Sequence, residues 1–207
     1  VTHMQTIQVK GQAVTPSKIV CVGRNYVAHI EELGNEVPQE MVVFNKPNSA
    51  ISDILRSQIG ADALHYEAEL AFVVKRGELF AVGLGLDLTK RSLQSALKDQ
   101  GLPWERAKAF DGAALFSEFV AMPRDLRHLH LELQVDGEVR QAGGVSLMIH
   151  QPEEILQELC GFITLEDGDI IMTGTPEGVG TIRTGERFEG RVLAKSKSLV
   201  SATWVAQ

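Results

Sequence analysis

The sequence predicts an α+β fold that is mostly β, with a few short helices. Several stretches alternate apolar with polar residues or cluster β-branched residues, and turn residues bound them. Helical spacing of apolar residues is confined to three short stretches, residues 27–33, 90–100 and 153–160. The 207 residues include 19 glycines, which indicates many turns. We expect one domain spanning residues 1–207, in which residues 1–15 form a short N-terminal strand region.

The composition excludes several classes of partner. The formal net charge is −7, so a nucleic-acid backbone or an anionic membrane would meet no basic surface. A small anionic ligand remains compatible if cations gather in one cleft. The first residues lack the charged and apolar regions of a signal peptide, and no apolar run approaches the roughly 20 residues of a membrane span. We therefore expect a cytoplasmic protein with neither nucleic-acid nor membrane partners.

The first half of the chain reads as strands around one helix. Residues 6–14 alternate as one strand would, and residues 18–22 form a second strand. The helical stretch from Val27 to Leu33 ends at Gly34, which suits a helix C-terminus. The other strands predicted here are residues 41–44, with Lys46 at the surface after them, 65–74 and 82–88.

The second half contains helices, a loop and a hairpin. Thr89 can cap the helix over residues 90–100, and residues 104–120, which include Lys108, read as a loop packed over the core. Asp136-Gly137 predicts a two-residue hairpin turn. Pro152 begins the last helix, and the glycine-rich stretch 173–180 offers backbone N–H groups to an anion. Both cysteines, Cys21 and Cys160, are expected to be buried free thiols.

Three carboxylates carry the clearest chemical signal. Glu67 and Glu69 are two residues apart on one predicted strand and therefore share a face, and Asp87 ends the next strand-like segment. Successive strands are commonly neighbours in a sheet, so the three can meet around a hard cation such as Mg²⁺. Two alternatives stay open at this point: the glutamates can be solvated, and Asp87 can support the start of the following helix.

A histidine and an acid share one face of the first helix. His29 and Glu32 are three residues apart, so their side chains face the same way. The spacing alone favours an exposed His-Glu pair of no functional importance. Histidine side chains exchange protons near neutral pH, and an acidic partner orients the ring. Lys108 also allows two interpretations: it can belong to a site, or it can extend from its apolar loop to the surface.

Five separated motifs follow one another along the chain. They are Gly23-Arg24-Asn25-Tyr26 with His29 and Glu32, His65-Tyr66-Glu67-Ala68-Glu69-Leu70, Leu86-Asp87-Leu88-Thr89, Gly101-Leu102-Pro103-Trp104 with Lys108, and Gly168-Asp169-Ile170-Ile171-Met172-Thr173-Gly174-Thr175-Pro176. Together, in this order, they resemble the fumarylacetoacetate hydrolase family. The resemblance covers nearly the whole chain from about residue 16 and is closest to the short, single-domain acylpyruvase-like branch.

The resemblance implies a fold, a cofactor and roles for these residues. The fold would be a mixed β-roll or sandwich of the family's C-terminal domain type, usually as a homodimer. Glu67, Glu69 and Asp87 would hold Mg²⁺ or Mn²⁺. His29 and Glu32 would handle water from a mobile lid, and Lys108 would complete the catalytic set. The substrate-binding residues would be Arg24, Gln94 and Thr175.

The function expected first is metal-dependent hydrolysis of a carbon–carbon bond in a small 2,4-diketo acid, or acylpyruvate, giving pyruvate and a carboxylic acid. A 2-oxo acid can chelate a cation, which makes the pyruvate half a good leaving enolate. The alternative is an oxaloacetate decarboxylase or keto-enol tautomerase that uses the same site. The non-enzymatic alternative is a metal-binding scaffold without turnover.

Three features depart from the family pattern. Ser92 stands where relatives often have an acid, and Ala113-Ala114 replaces a Cys-Pro or similar pair. Residues 76–82 leave no room for the helix that usually separates the two ligand-bearing strands. These differences concern the support of Arg91, the shape of the distal pocket and the connection between the ligand strands.

Overall fold

The computed structural model describes residues 3–207 of the chain. It contains seventeen strands and four α-helices in this part of the chain. The helices are α1 (Val27–Glu32), α2 (Arg91–Asp99), α3 (Glu105–Lys108) and α4 (Pro152–Cys160). The strands are β1 (Ile7–Val9), β2 (Gln12–Val14), β3 (Lys18–Gly23), β4 (Val42–Pro47), β5 (Gln58–Ile59), β6 (Asp62–Ala63), β7 (His65–Tyr66), β8 (Ala68–Lys75), β9 (Glu78–Asp87), β10 (Ala114–Phe116), β11 (Val120–Ala121), β12 (Leu129–Val135), β13 (Glu138–Gly144), β14 (Ile170–Met172), β15 (Gly180–Thr181), β16 (Arg187–Ala194) and β17 (Lys197–Val205).

Two sheets dominate the fold. The larger has the strand order β10-β9-β8-β14-β3-β4, with β11 also paired to β9. Its strands are antiparallel to their neighbours except β14 and β3, which are parallel, so the sheet is mixed. The smaller sheet is antiparallel, in the order β13-β12-β16-β17. The predicted fold class, a strand-rich α+β protein with few short helices, is confirmed.

The core lies on both faces of the large sheet because successive strand residues point to opposite sides. On one face, Leu70 and Phe72 of β8 pack in the same cluster as Leu133 and Phe188 of the smaller sheet. Helix α4 covers the β3 and β14 part of the sheet through Ile155 and Leu159. The opposite face of the large sheet packs against β1.

Several predicted elements differ from the observed ones. Residues 6–14 form a hairpin, β1 and β2, because Lys10 and Gly11 both take positive φ angles and reverse the chain. Residues 104–120 contain α3 and β10 instead of an unbroken loop. Thr89 does not cap α2: its hydroxyl donates a hydrogen bond to the carbonyl oxygen of Asp87. Cys160 is exposed, whereas Cys21 is buried as expected.

Other predictions are confirmed. Helix α4 begins at Pro152 and carries a capping box between Gln151 and Glu154. The turn at Asp136-Gly137 joins β12 to β13. The short connection after Lys75 is a tight hairpin that joins β8 directly to β9, with no helix between them. None of the helices in residues 3–207 is long and apolar enough to cross a membrane.

The carboxylate of Asp169 ties the N-terminal strands to β14. It accepts hydrogen bonds from the backbone and hydroxyl of Ser17, from the ammonium of Lys18 at 2.7 Å and from the backbone of Glu166. Burial acts to raise the pKa of Asp169, but these donors outweigh it and hold the pKa below its ordinary value of 3.8. This anchor fixes the start of β14, the strand that leads into the glycine-rich loop.

We predict that Asp169→Asn lowers the free energy of unfolding by about 3 kcal/mol at pH 7, because the ammonium of Lys18 and the converging N–H groups lose their charged acceptor. The folded pKa lies below the unfolded one, so the charge contributes fully above about pH 5 and is lost as the pH falls below 3.8. Urea unfolding between pH 7 and pH 3 should show a flatter pH dependence for the variant.

Exposed Asp53 provides the control for this experiment, since its side chain makes no hydrogen bond within residues 3–207. Asp53→Asn should change the free energy of unfolding by less than about 0.5 kcal/mol. Equal effects of the two substitutions would contradict an anchoring role for Asp169.

Candidate active site

Three carboxylates meet in the interior of the protein. One oxygen from each of Glu67, Glu69 and Asp87 lies within 4.8 Å of the others. All three residues are buried, with relative exposures of 5%, 2% and 1%. Buried carboxylates almost always have partners, so a solvated strand with surface glutamates does not describe this site.

The pairing of β8 with β9 brings the carboxylates together. Ala68 is opposite Leu86, and the backbone N–H of Asp87 donates to the carbonyl oxygen of Glu67 at 2.8 Å. Glu69 is two residues beyond Glu67, which returns its side chain to the same side of the sheet. The tight hairpin between β8 and β9 makes them neighbours, as expected for successive strands.

The ammonium of Lys108 lies between two of the carboxylates. Its Nζ is 3.0 Å from Glu67 Oε2, 2.8 Å from Asp87 Oδ2 and 2.7 Å from Thr89 Oγ1. Burial acts to lower the pKa of Lys108, but Asp87 and Glu67 outweigh it and raise the pKa above its ordinary value. Helix α3 carries this lysine inward, so it does not extend to the surface.

Lys46 is a second buried ammonium, and the expectation that it lies on the surface is wrong. Its Nζ is 2.7 Å from Asp87 Oδ1, an ion pair whose angle does not suit a hydrogen bond. It donates instead to the backbone carbonyl oxygens of Leu88 and Lys108. The side chain has no measurable exposure. Because Lys46 is on β4, it ties the edge of the large sheet to the carboxylate cluster.

Arg91 supplies the third cation of the site. Its Nη2 pairs with Glu67 Oε1 at 2.5 Å, and its Nη1 donates to Gln94 Oε1 at 2.9 Å. Burial acts to raise the pKa of Glu67, but Lys108 and Arg91 outweigh it and hold the pKa well below its ordinary value. Glu67 therefore stays ionised in the interior.

Glu69 is the carboxylate with the least compensation. One oxygen accepts a hydrogen bond from the backbone N–H of Gly174 at 2.9 Å. Burial and the neighbouring charges of Asp87 and Glu67 raise its pKa well above the ordinary value. A divalent cation among the three carboxylates would relieve this repulsion, and three carboxylate oxygens suit the hard cations Mg²⁺ and Mn²⁺. The residues present therefore fit such an ion.

His29 and Glu32 form the pair that their spacing predicted. His29 Nδ1 is 3.1 Å from Glu32 Oε2, and the histidine is buried. Glu32 also accepts hydrogen bonds from the backbone N–H of Gly178, at 3.0 and 3.2 Å to its two oxygens. Helix α1 is thus fastened across the site to the glycine-rich loop.

The glycine-rich loop serves carboxylates of the protein itself. Gly174 donates to Glu69 and Gly178 donates to Glu32, so the anions that its N–H groups bind are side chains. Gly178 has a φ of +98°, and a Cβ there would collide with the carbonyl oxygen of Arg140. A residue other than glycine would displace the loop that receives α1.

Thr175 lies in the cavity wall with its hydroxyl already engaged. The hydroxyl donates to the carbonyl oxygen of Ala68 at 2.7 Å and accepts from Gln141 Nε2 at 2.7 Å. Gln141 also accepts from the backbone of Ala68. Thr175 therefore connects the glycine-rich loop to the start of β8, and a ligand would compete with these contacts for its hydroxyl.

The structure places the predicted site residues around one cavity. The cavity has a volume of about 40 Å³ that the centre of a water molecule can occupy. Glu32 does not line it and reaches it through His29. The predicted residues in its wall are Arg24, His29, Glu67, Glu69, Asp87, Gln94, Lys108 and Thr175. These residues therefore lie close together, and the role of each one in binding or catalysis stays a prediction.

Sequence reasoning missed four polar residues around the site. Lys46 and Arg91 pair with the carboxylates, and Asn35 and Lys98 line the cavity. Arg91 and Lys98 are on α2, on the same side as Gln94, a helical spacing that could have indicated them. Lys46 gave no such signal, because its partner Asp87 is distant in the chain.

His65 precedes the carboxylate-bearing strand and pairs with Thr181, at 3.1 Å from Nε2 to the hydroxyl oxygen.

Comparison with known proteins gives a consistent family. The model of the fumarylacetoacetate (FAA) hydrolase C-terminal family matches residues 18–204. Oxaloacetate tautomerase YcgM of Escherichia coli (strain K12) is 38% identical over 200 residues, covering 86% of this chain and 90% of the relative. The mitochondrial oxaloacetate tautomerase FAHD1 of Arabidopsis thaliana is 39% identical over 210 residues, covering 94% of each.

A solved structure agrees with these relatives. The crystal structure of fumarylpyruvate hydrolase from Pseudomonas aeruginosa, in complex with Mn²⁺ and pyruvate, superimposes with a TM-score of 0.86 at 31% identity. The superposition covers 99% of this chain and 97% of the fumarylpyruvate hydrolase chain. Similarity therefore extends over nearly the full described length in both sequence and fold.

We predict that Glu32→Gln weakens the contact between α1 and the glycine-rich loop, because a neutral amide is a weaker acceptor than a carboxylate for the Gly178 N–H. A loss of about 1 kcal/mol would speed amide exchange at Gly178 about fivefold, measurable by NMR or mass spectrometry. Glu31→Gln is the matched control on the same helix, since the Glu31 side chain is exposed and makes no hydrogen bond within residues 3–207. Unaltered exchange in Glu32→Gln would contradict the contact.

Proposed function

The chain belongs to the fumarylacetoacetate hydrolase family, and from that premise we propose that it is a divalent-metal-dependent enzyme acting on oxaloacetate, as a keto-enol tautomerase or a decarboxylase. The observation that carries this proposal is the buried cluster of Glu67, Glu69 and Asp87, whose oxygens lie within 4.8 Å of one another. The names of the relatives support oxaloacetate over an acylpyruvate, which the sequence alone favoured. They include oxaloacetate tautomerases and the oxaloacetate decarboxylase of Dictyostelium discoideum, 36% identical over 189 residues.

The three carboxylates are the residues that would hold the cation. Mg²⁺ and Mn²⁺ both accept carboxylate oxygens, and the fumarylpyruvate hydrolase structure contains Mn²⁺. When bound, such a cation supplies Lewis-acid stabilisation to an enolate oxygen. Glu69, with the weakest compensation among the three, gains most from the added charge.

His29 is the residue that moves the proton in the proposed tautomerisation. It lines the cavity, and its Nδ1 pairs with Glu32, which leaves the other ring nitrogen for the substrate. The ring takes a proton from C3 of the keto form and returns it to the C2 oxygen, so the enol has the same atoms as the keto form. Glu32 orients the ring and stabilises the imidazolium between the two transfers.

Lys108 contributes through its charge. Its three contacts already use the donors of the ammonium, so it presents a fixed positive charge to a developing enolate in a site with little water. Decarboxylation would use the same stabilisation: the C3–C4 bond breaks, carbon dioxide leaves, and the electron pair enters the pyruvate enolate. His29, protonated from solvent, then donates the one proton that C3 of the enolate needs to become pyruvate.

Hydrolysis of an acylpyruvate is the second candidate. The pairing of His29 with Glu32 favours it, because this arrangement also suits removal of a proton from an attacking water. The similarity to fumarylpyruvate hydrolase gives independent support. The pyruvate enolate is the leaving group here, so both candidates need the same enolate stabilisation.

The assembly and location of the protein stay as proposals. The homodimer implied by the family resemblance can be tested by sedimentation of the purified chain at micromolar concentration. The cytoplasmic location is likewise a prediction from the sequence, to be checked by cell fractionation. The proposed partner is a small anionic 2-oxo acid, with neither nucleic acid nor membrane.

We predict that the purified protein with Mg²⁺ accelerates loss of the enol absorbance of oxaloacetate. Glu69→Gln should lower both the affinity for the cation, measured by calorimetry, and the rate by at least about a hundredfold, because a charged ligand is removed. Glu78→Gln is the control, since this exposed residue lies on β9 outside the cavity. Cation binding without turnover of oxaloacetate or an acylpyruvate would support a scaffold. Unchanged affinity in Glu69→Gln would refute the metal site.

His29→Ala separates hydrolysis of an acylpyruvate from decarboxylation of oxaloacetate. Hydrolysis requires an activated water, so the substitution should reduce acetylpyruvate cleavage by about a hundredfold or more. Decarboxylation of oxaloacetate depends chiefly on enolate stabilisation and should fall less. Measuring both rates on the same preparation gives the comparison. An equal loss in both reactions would contradict a separate hydrolytic role for His29.

A further inference from the structure

The cavity wall contains two cations that form no ion pair with a carboxylate in the described part of the chain. Arg24 and Lys98 both line the cavity. Within residues 3–207, no carboxylate oxygen lies within 4.0 Å of a nitrogen of either side chain. The inner cations differ, since Lys46, Lys108 and Arg91 pair with the three-carboxylate cluster.

The two outer cations meet at one neutral side chain. Lys98 Nζ donates to Asn35 Oδ1 at 2.8 Å, and Arg24 Nη2 approaches the same oxygen at 3.5 Å. An amide oxygen aligns the two cations without neutralising them. Burial lowers the pKa of Lys98, the charges of Arg24 and Arg91 lower it further, and Asp99 offsets only part of this effect, so an anion here would be stabilised.

The backbone of Arg24 has a conformation that is unfavourable for residues other than glycine. Its φ is +53°, in the left-handed region that favours glycine and costs other residues roughly 1 kcal/mol. Asn35 is fixed as well, because its backbone N–H donates to the carbonyl oxygen of Ile30 at 2.9 Å. Asn35 is therefore attached to the end of α1, whereas Lys98 belongs to α2.

We propose that Arg24, Lys98 and Asn35 form a subsite for a second carboxylate, remote from the metal-binding end of the substrate, and that Lys98 is a specificity-determining residue. The carboxylate would accept hydrogen bonds from Lys98 and Arg24 and bring α1 and α2 together. This inference rests on the proposed function, since it assumes that a 2-oxo acid binds at the three carboxylates. The substrate class that it selects is a dicarboxylic 2-oxo acid.

The selectivity follows from charge. A monocarboxylic 2-oxo acid would place its apolar tail against Arg24 and Lys98. The tail would remove water from the two cations without balancing their charges, which costs desolvation energy. A second carboxylate gains charge-assisted hydrogen bonds at the same place. Oxaloacetate has this second carboxylate and acetylpyruvate lacks it, so the subsite favours the former.

The test uses the full-length protein loaded with Mg²⁺ and two ligands that are not turned over. Calorimetry compares 3,3-difluorooxaloacetate, a stable dicarboxylate, with pyruvate, which has a single carboxylate. Wild type should bind the dicarboxylate about tenfold or more tightly than pyruvate. Lys98→Met keeps the length of the side chain and removes the charge, so it should lose most of that preference while its affinity for pyruvate changes less than about twofold. Lys98→Arg should retain the preference.

Lys197→Met is the control, because Lys197 is exposed on β17 and does not line the cavity. It should behave as wild type. The subsite is refuted if wild type shows no preference for the dicarboxylate, or if Lys98→Met keeps that preference. The turnover assay with oxaloacetate tests the proposed function separately: preferential binding without turnover would leave the subsite standing and overturn the reaction.

Discussion

The ammonium of Lys108, between Glu67 and Asp87, is the interaction on which the site depends. Separating a buried ion from its partner costs several kcal/mol, so the strands and helix that carry these groups must stay in register. Lys46 extends the same constraint to β4 through Asp87. These contacts hold the carboxylates of Glu67 and Asp87 close together in an apolar interior, an arrangement that suits the ligands of a divalent cation.

The closure of the site follows from the same network. Glu69 and Glu32 both bind N–H groups of the glycine-rich loop, so this loop joins the carboxylate cluster to α1. His29 is thereby buried over the cavity with one ring nitrogen fixed by Glu32. The carboxylate cluster and the helix that covers it share one short segment of backbone, which connects the cluster to the position of His29.

The distribution of charge divides the cavity into two parts. At the inner end, Lys46, Lys108 and Arg91 pair with Glu67 and Asp87. At the outer end, Arg24 and Lys98 share a neutral amide and keep their charge. A substrate with metal-coordinating oxygens at the inner end and a carboxylate at the outer end suits the charges of both parts. This arrangement gives oxaloacetate an advantage that the carboxylate cluster by itself does not provide.

The sequence by itself determined the strand-rich class, the shared strand face of Glu67 and Glu69, and the shared helix face of His29 and Glu32. These features depend on short-range periodicity, since strand and helix spacings fix which neighbouring side chains share a face. Only the tertiary structure decided the place of Lys46, the helix that carries Lys108 inward, and the meeting of Asn35 with Lys98. Each joins segments distant in the chain, and long-range pairing leaves no local pattern: a lysine that ends a strand reads the same whether water or a buried aspartate receives its charge.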